Sequence, residues 1–137
     1  MAHVRFGIAT AQQQVSYRDV LRVWREADTI LIGGRSTATL RVVAEHADLW
    51  NIPGGDIDDA VRRGALLDRL CAEIGRDPAS ITRSTVLPVS YDHPGSIRDA
   101  IAAATGAGFQ HIVLGLPAPY PEKVARWVTD ELIGEPA

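Results

Sequence analysis

Short apolar runs alternate along this chain with longer stretches in which apolar residues recur every three or four positions. The short runs are typical of buried strands, and the longer stretches are typical of amphipathic helices. Five runs predict strands, at 4–10, 29–33, 48–52, 82–89 and 109–115. A helical stretch follows each run, so the sequence predicts an α/β protein built from five strand–helix units.

Polar residues at the predicted helix starts support these boundaries. Three pairs have the three-residue spacing of an N-terminal helix cap: Ser16 with Asp19, Asp56 with Asp59, and Ser96 with Asp99. The second helix is predicted over 37–46, and the last helix is predicted to open at Pro121. Gly75 is expected to end the third helix in a left-handed conformation.

The order of the elements predicts a parallel sheet, because a crossover helix returns the chain to the same end of the sheet. Five units allow two architectures: part of a (β/α)₈ barrel, or a flavodoxin-like doubly wound sheet. In the last strand, Ile112 and Leu114 point to one face, and the opposite face is mixed and partly polar, with Phe109, His111, Val113 and Gly115. One helix-covered face and one mixed face favour the partial barrel.

Composition limits the class of protein. The 137 residues are 46% hydrophobic and 23% charged, which predicts one ordinary domain. The net charge of -3 and the absence of a basic run argue against binding to nucleic acid. No apolar run is long enough to span a bilayer and no leader follows Met1, so we expect a cytoplasmic protein without a membrane role.

The cysteine and histidine residues predict no metal site, because their spacing matches no common ligand set. The single cysteine, Cys71, falls on an apolar helical stripe with Leu67, Leu70 and Ile74, where a core residue is expected. Of the histidines, His93 lies in a loop at the carboxyl end of a predicted strand and is the best candidate for acid–base chemistry. No catalytic residue can be assigned.

The segment 30–41 carries the clearest candidate binding site. An apolar strand runs through Gly33 and Gly34 into the polar first turn of a helix, where backbone N–H groups and the helix dipole favour an anion. Arg35, Ser36 and Thr37 could add side-chain donors. The alternative interpretation is that the two glycines only form the turn between a strand and a helix.

Trp50 and Asn51 form a second candidate site at the carboxyl end of the third predicted strand. A polar amide beside a large aromatic ring suits the orientation of a ligand. Packing of Trp50 in the core is an equally good explanation of that residue.

Several short motifs occur in a fixed order along the chain. The first motifs are Arg5-Phe6-Gly7-Ile8, Trp24-Arg25-Glu26-Ala27, and the segment 30–34 followed by Thr39-Leu40-Arg41. The later motifs are Ala47-Asp48-Leu49-Trp50-Asn51, the segment 71–78, which ends in Gly75-Arg76-Asp77-Pro78, and the segment 108–114. Together they resemble the luciferase-like monooxygenase superfamily, in particular its oxidoreductases that depend on the deazaflavin coenzyme F-420.

The resemblance implies a TIM-barrel origin with an internal gap. Residues 1–28 resemble the first strand–helix unit of the family, and 29–137 resemble the fifth to eighth units. Family members are roughly twice this length, and their strands two to four have no counterpart here. The implied fold is a half-barrel, which we expect to be completed by a second copy in a homodimer.

The resemblance also implies a cofactor, coenzyme F-420 or alternatively FMN, whose phosphate would lie near Gly33, Gly34, Trp50 and Asn51. Two functions follow from it. The chain could be a flavin- or deazaflavin-dependent oxidoreductase, of the hydride-transfer or monooxygenase class, whose missing wall a partner rebuilds. It could instead be a non-catalytic cofactor-binding or structural remnant, because the strands that hold the redox ring in the family are missing.

Overall fold

The structure is a computed structural model that describes residues 16–26, 29–53 and 56–134. The predicted strand at 4–10 lies outside these ranges. The elements, in chain order, are α1 (Tyr17–Glu26), β1 (Leu31–Gly33), α2 (Thr37–His46), β2 (Leu49–Pro53), α3 (Ile57–Glu73), a 3₁₀ turn (Pro78–Ser80), β3 (Thr82–Pro88), α4 (Pro94–Gly106), β4 (His111–Gly115) and α5 (Val124–Trp127), which continues as a π-helical stretch (Val128–Ile133). None of the helices within the described ranges could cross a membrane.

The four strands form one parallel sheet in the order β1-β2-β3-β4. This order confirms the α/β class and fits a partial barrel, and the sheet of the described residues is not closed. It also corrects the flavodoxin-like alternative, in which the chain's first strand would separate the second from the third. Here β1 pairs directly with β2, with Leu31 opposite Leu49 and Gly33 opposite Asn51.

One face of the sheet is covered by helices. Ile32, Trp50, Ile52 and Leu87 point to this face and are nearly or fully buried. They pack with side chains of α2, α3 and α4 in one core, namely Leu40, Val43 and Ala44 from α2, Leu67, Leu70 and Cys71 from α3, and Ala104 from α4. A sequential strand order with right-handed crossovers places the crossover helices α2, α3 and α4 on the same side. The opposite face of the sheet is left open by these helices, and Leu31 and Val113 are exposed on it.

The last strand shows where alternation alone misplaces a residue. Ile112 and Leu114 pack against the core while His111, Val113 and Gly115 lie exposed on the other face, so the predicted separation of the two faces is observed. The alternation places Phe109 on the mixed face, but Phe109 is 3% exposed and packs in the core, with its ring centroid 6.4 Å from that of Trp50. The strand begins only at His111, and Gly108 turns the chain with a φ of 88°, so the alternation does not extend back to Phe109.

The helix boundaries are confirmed for α1, α2 and α3 and corrected for the last two helices. Asp56 caps α3 by accepting from the Asp59 amide at 2.9 Å. In contrast, α4 begins at Pro94 with His93 as its N-cap residue, and the Ser96 hydroxyl donates to the His93 carbonyl. The last helix begins at Val124 rather than Pro121, because Lys123 adopts a left-handed conformation with φ 57°.

The Gly75-Arg76-Asp77-Pro78 motif has a clear structural role. Gly75 takes a φ of 71° after α3, and the Asp77 carboxylate caps the 3₁₀ turn. The Arg76 guanidinium donates to the carbonyls of Ala44 at 2.9 Å and Ala47 at 2.6 Å, which lie at the end of α2. Arg76 therefore satisfies carbonyls that α2 leaves unpaired, and it joins two helices of the covering layer.

Candidate functional site

The turn after β1 is held by backbone and side-chain hydrogen bonds from β2. The Gly34 amide donates to the Asn51 carbonyl at 3.0 Å, and the Gly34 carbonyl accepts from the Trp50 indole nitrogen at 2.8 Å. Gly34 has a φ of 138°, and a Cβ at this position would lie 2.8 Å from Cγ2 of Thr39. The fold itself therefore requires glycine here, whether or not a ligand binds.

The first turn of α2 follows this turn and lies at the carboxyl edge of the sheet. Ser36 is the N-cap residue, and its hydroxyl oxygen accepts from the Thr39 amide at 3.1 Å. The amides of Thr37 and Ala38 donate to no residue in the described part of the chain. Since this first turn carries no acidic residue, the two amides and the helix dipole form a positively polarised end that faces solvent.

Arg35 connects this edge to the start of α3. Its guanidinium donates to the Pro53 carbonyl at 3.0 Å and lies 3.7 Å from the Asp59 carboxylate. The side chain is 52% exposed, while that of Asp59 is 18% exposed and also lies near Arg62 and Arg63. Arg35 thus adds positive charge beside the start of α2, although part of its hydrogen-bonding capacity is used by the protein.

The two members of the second candidate site point to opposite faces of the sheet. Trp50 is fully buried on the covered face. Its indole nitrogen donates to the Gly34 carbonyl, so Trp50 supports the turn from the covered side of the sheet. Asn51 points to the open face and is half-buried there.

Asn51 belongs to a hydrogen-bonded row across the open face. The register places Gly33, Asn51, Ser84 and His111 side by side on the four strands. The Asn51 amide nitrogen donates to the Ser84 hydroxyl oxygen at 2.8 Å, and that oxygen lies 2.8 Å from Nδ1 of His111. Ser84 is fully buried, whereas His111 is exposed. We refer to Asn51, Ser84 and His111 as the polar row.

The polar row lies between apolar positions on the same face. Toward the amino ends of the strands lie Leu31 and Leu49, and toward the carboxyl ends lie Val86 and Val113. Leu31 is 58% exposed and Val113 is 40% exposed, so this apolar surface is open to solvent in the described structure. Gly33 has no side chain and leaves space beside Asn51.

Of the three residues in the polar row, the sequence indicates only Asn51 as a binding residue, and it assigns no binding role to Ser84 or His111. Alternation within each strand indicates which face a residue occupies. It does not indicate which residues of neighbouring strands lie side by side, since that register depends on the intervening helices. No sequence signal connected Ser84 to the other two residues.

The remaining candidates lie apart from the polar row. His93 is exposed at the start of α4. Cys71 is buried in the core, and burial raises the pKa of its thiol, so it is poorly suited to act as a nucleophile. Within the described ranges, no three His, Cys, Asp or Glu side chains come together as a metal-binding group.

Comparison with solved structures identifies the fold. An F-420-dependent secondary alcohol dehydrogenase, solved in complex with an F-420–acetone adduct, superimposes with a TM-score of 0.62 at 11% sequence identity. The chain has the fold of part of this enzyme. The match covers 77% of this chain and 48% of the dehydrogenase, so the chain spans about half the length of that protein. No protein-family model matches the chain, and no curated protein sequence is significantly similar to it.

Proposed function

We propose that this chain binds the phosphate-bearing cofactor of an oxidoreductase, coenzyme F-420 or alternatively FMN, at the carboxyl ends of β1 and β2. Two indications support this class of cofactor. The sequence motifs resemble F-420-dependent enzymes, and the fold is similar to part of an F-420-dependent dehydrogenase.

The observation that carries the proposal is the polarised start of α2. The Thr37 and Ala38 amides can donate to phosphate oxygens, and Arg35 adds a positive charge on the same rim. A Cβ at Gly33 would meet only the Asn51 carbonyl, at 3.7 Å, so the backbone is accessible there. These groups fit a phosphate, and Trp50 and Asn51 hold the turn that presents them.

A bound deazaflavin or flavin would supply hydride-transfer chemistry. The residues of this chain would bind and orient the cofactor. The α2 amides and Arg35 would hold its phosphate, and the open face of the sheet would contact its ring. The monooxygenase class is part of the same proposal, because a bound flavin supports either reaction.

A non-catalytic role is the second candidate. It is favoured by the open face, which no described residue covers, and by the correspondence of the chain to about half of the dehydrogenase. In that case the protein would bind the cofactor without turnover. An assay of cofactor oxidation or reduction, run on protein that has been shown to bind it, distinguishes the two candidates.

We further propose that the protein is a homodimer in which a second copy covers the open face. Leu31 and Val113 give that face an exposed apolar character, and within the described ranges no strand pairs with the outer edge of β1 or of β4. Light scattering should give the mass of two chains, and the melting temperature should fall on dilution. A monomer with a melting temperature independent of concentration would contradict this proposal.

Replacement of Thr37 tests the phosphate site. A glutamate at this first position of α2 complements the helix dipole and should stabilise the fold by about 0.3–1 kcal/mol, while its charge repels phosphate. Thr37→Glu should weaken F-420 or FMN binding at least tenfold in titration calorimetry, and Thr37→Gln should not. Gly34 is a poorer position for this test, because any side chain there collides with Thr39.

Two results would overturn the proposal. One is that neither cofactor binds the wild-type protein. The other is that Thr37→Glu and Thr37→Gln bind the cofactor equally well. Thr37→Glu is expected to raise the stability of the fold and to lower the affinity for the cofactor. A loss of affinity in a variant that is at least as stable as the wild type cannot be explained by misfolding.

A further inference from the structure

The polar row has a defined direction of hydrogen bonding. An amide nitrogen can only donate, so the Ser84 oxygen accepts from Asn51. Ser84 is fully buried, and its own proton needs an acceptor. Nδ1 of His111, at 2.8 Å, is the acceptor that the described residues offer.

This direction fixes the state of both ends of the row. A neutral His111 that accepts at Nδ1 carries its proton on Nε2, so Nε2 is a donor. Asn51 uses its nitrogen toward Ser84, which leaves its carbonyl oxygen Oδ1 as an acceptor. Neither Nε2 of His111 nor Oδ1 of Asn51 has a hydrogen-bond partner among the described residues.

The row is unsuited to nucleophilic catalysis in spite of its Ser–His contact. The Ser84 hydroxyl is fully buried, and Asn51 and His111 bond to it from the two neighbouring strands, so a substrate cannot reach it. Asn51 also contacts the serine rather than the histidine, so no third group orients the imidazole as a base for the serine. The chemistry left to the row is recognition of a ligand by its two ends.

We propose that the open face binds a flat, uncharged ring through the polar row, with His111 Nε2–H donating to a ring carbonyl and Asn51 Oδ1 accepting from a ring N–H. A ring edge with adjacent carbonyl and N–H groups, as in a pyrimidinedione, carries both partners. The apolar side chains of Leu31, Leu49, Val86 and Val113 on either side of the row suit the faces of such a ring. Ser84 acts as a positioning residue, because it orients the imidazole and sets its tautomer.

This inference deepens the proposed function and rests on it in the choice of ligand, since flavin and deazaflavin rings carry a pyrimidinedione edge. It adds residues of β3 and β4 to a site that was predicted only from β1 and β2. A second copy covering the open face would enclose the ring from the other side.

Lumiflavin, which has the ring but no phosphate, tests the inference, with 3-methyllumiflavin as the matched ligand that lacks the ring N–H. The wild-type protein should bind lumiflavin about tenfold more tightly than 3-methyllumiflavin in a fluorescence titration. His111→Phe should lose about tenfold in lumiflavin affinity. Thr82→Val removes a hydroxyl from the same strand and face as Ser84, one row away, and should leave the affinity unchanged.

Ser84→Ala tests the positioning role, with thermal unfolding as the check that the variant folds. The ¹⁵N spectrum of the His111 ring should show the Nε2–H tautomer in the wild type and a mixture of tautomers in Ser84→Ala. Lumiflavin affinity should fall several-fold in this variant. An unchanged ring spectrum would contradict the assigned role of Ser84.

The outcomes separate this inference from the proposed function. Thr37→Glu lies at the phosphate site and should not alter lumiflavin binding, although it should weaken FMN binding. Suppose that FMN binding depends on Thr37, but lumiflavin has the same affinity for the wild-type protein, His111→Phe and Ser84→Ala. The polar row is then excluded as the binding site of the ring, and the proposed phosphate site is retained. If lumiflavin does not bind the wild-type protein at all, the inference is wrong.

Discussion

The two faces of the sheet are built from the same four strands and differ in what their side chains contact. On the covered face, Trp50 and Ile52 are buried against the helices. On the open face, Leu31 and Val113 are exposed on either side of the polar row. Parallel strands connected by helices on one side give this asymmetry directly, so stability resides on the covered face and ligand recognition can use the other.

Removal of Trp50 should give the largest loss of stability. Its side chain is fully buried, packs near Phe109 and donates to the Gly34 carbonyl. Trp50→Ala should destabilise the fold by about 3–5 kcal/mol in urea unfolding, because it leaves a large cavity and an unpaired carbonyl. Tyr120→Ala, at a tyrosine that is 66% exposed, should change stability by no more than about 0.5 kcal/mol. Comparable losses in the two variants would contradict the assignment of the core to the covered face.

Removal of the Arg76 side chain should give the next largest loss of stability, because Arg76 joins the helices of the covering layer. Arg76→Ala leaves the carbonyls of Ala44 and Ala47 without their donor and should cost about 2 kcal/mol in urea unfolding. Arg41 is the matched control, since its side chain is 60% exposed and lies 3.7 Å from the equally exposed carboxylate of Glu73. Arg41→Ala should have almost no effect. Equal effects would show that Arg76 is only a surface charge.

Much of this covered layer is predictable from the sequence, because local signals determine it. Asp56 caps α3, and Cys71 lies in the core, as the sequence indicates. Helical spacing alone fails at the end of α3, where Gly75 adopts a φ of 71°. Ile74 continues the apolar stripe of α3 but follows the end of that helix and is 52% exposed.

The candidate site is predictable from the sequence only in part, because some of its residues are distant from one another along the chain. The turn at Gly34 and the start of α2 are continuous in sequence, so both are found by inspection. The polar row joins residues 33 and 27 positions apart, and only the register of the folded sheet brings them together. The sequence also presents Trp50 and Asn51 as neighbours, although consecutive residues of a strand point to opposite faces.

Substitutions on the open face should change stability least and assembly most, which sharpens the comparison between the faces. Leu31 is 58% exposed, so Leu31→Lys should alter the unfolding free energy of an isolated chain by no more than about 0.5 kcal/mol. If a second copy covers this face, the buried lysine charge has no partner and the dimer should dissociate. Light scattering should then give the mass of a single chain, with a melting temperature that no longer depends on concentration.

Val61→Lys is the matched control for this last prediction, because Val61 is 48% exposed on α3, within the helix layer. It introduces the same charge at a similarly exposed apolar position and should leave the dimer mass unchanged. A Leu31→Lys protein that keeps the dimer mass would place the interface elsewhere and leave the open face free for a ligand alone. Dissociation by Val61→Lys instead would assign the interface to the helix layer, and the covered face of the sheet would then support both the core and the assembly.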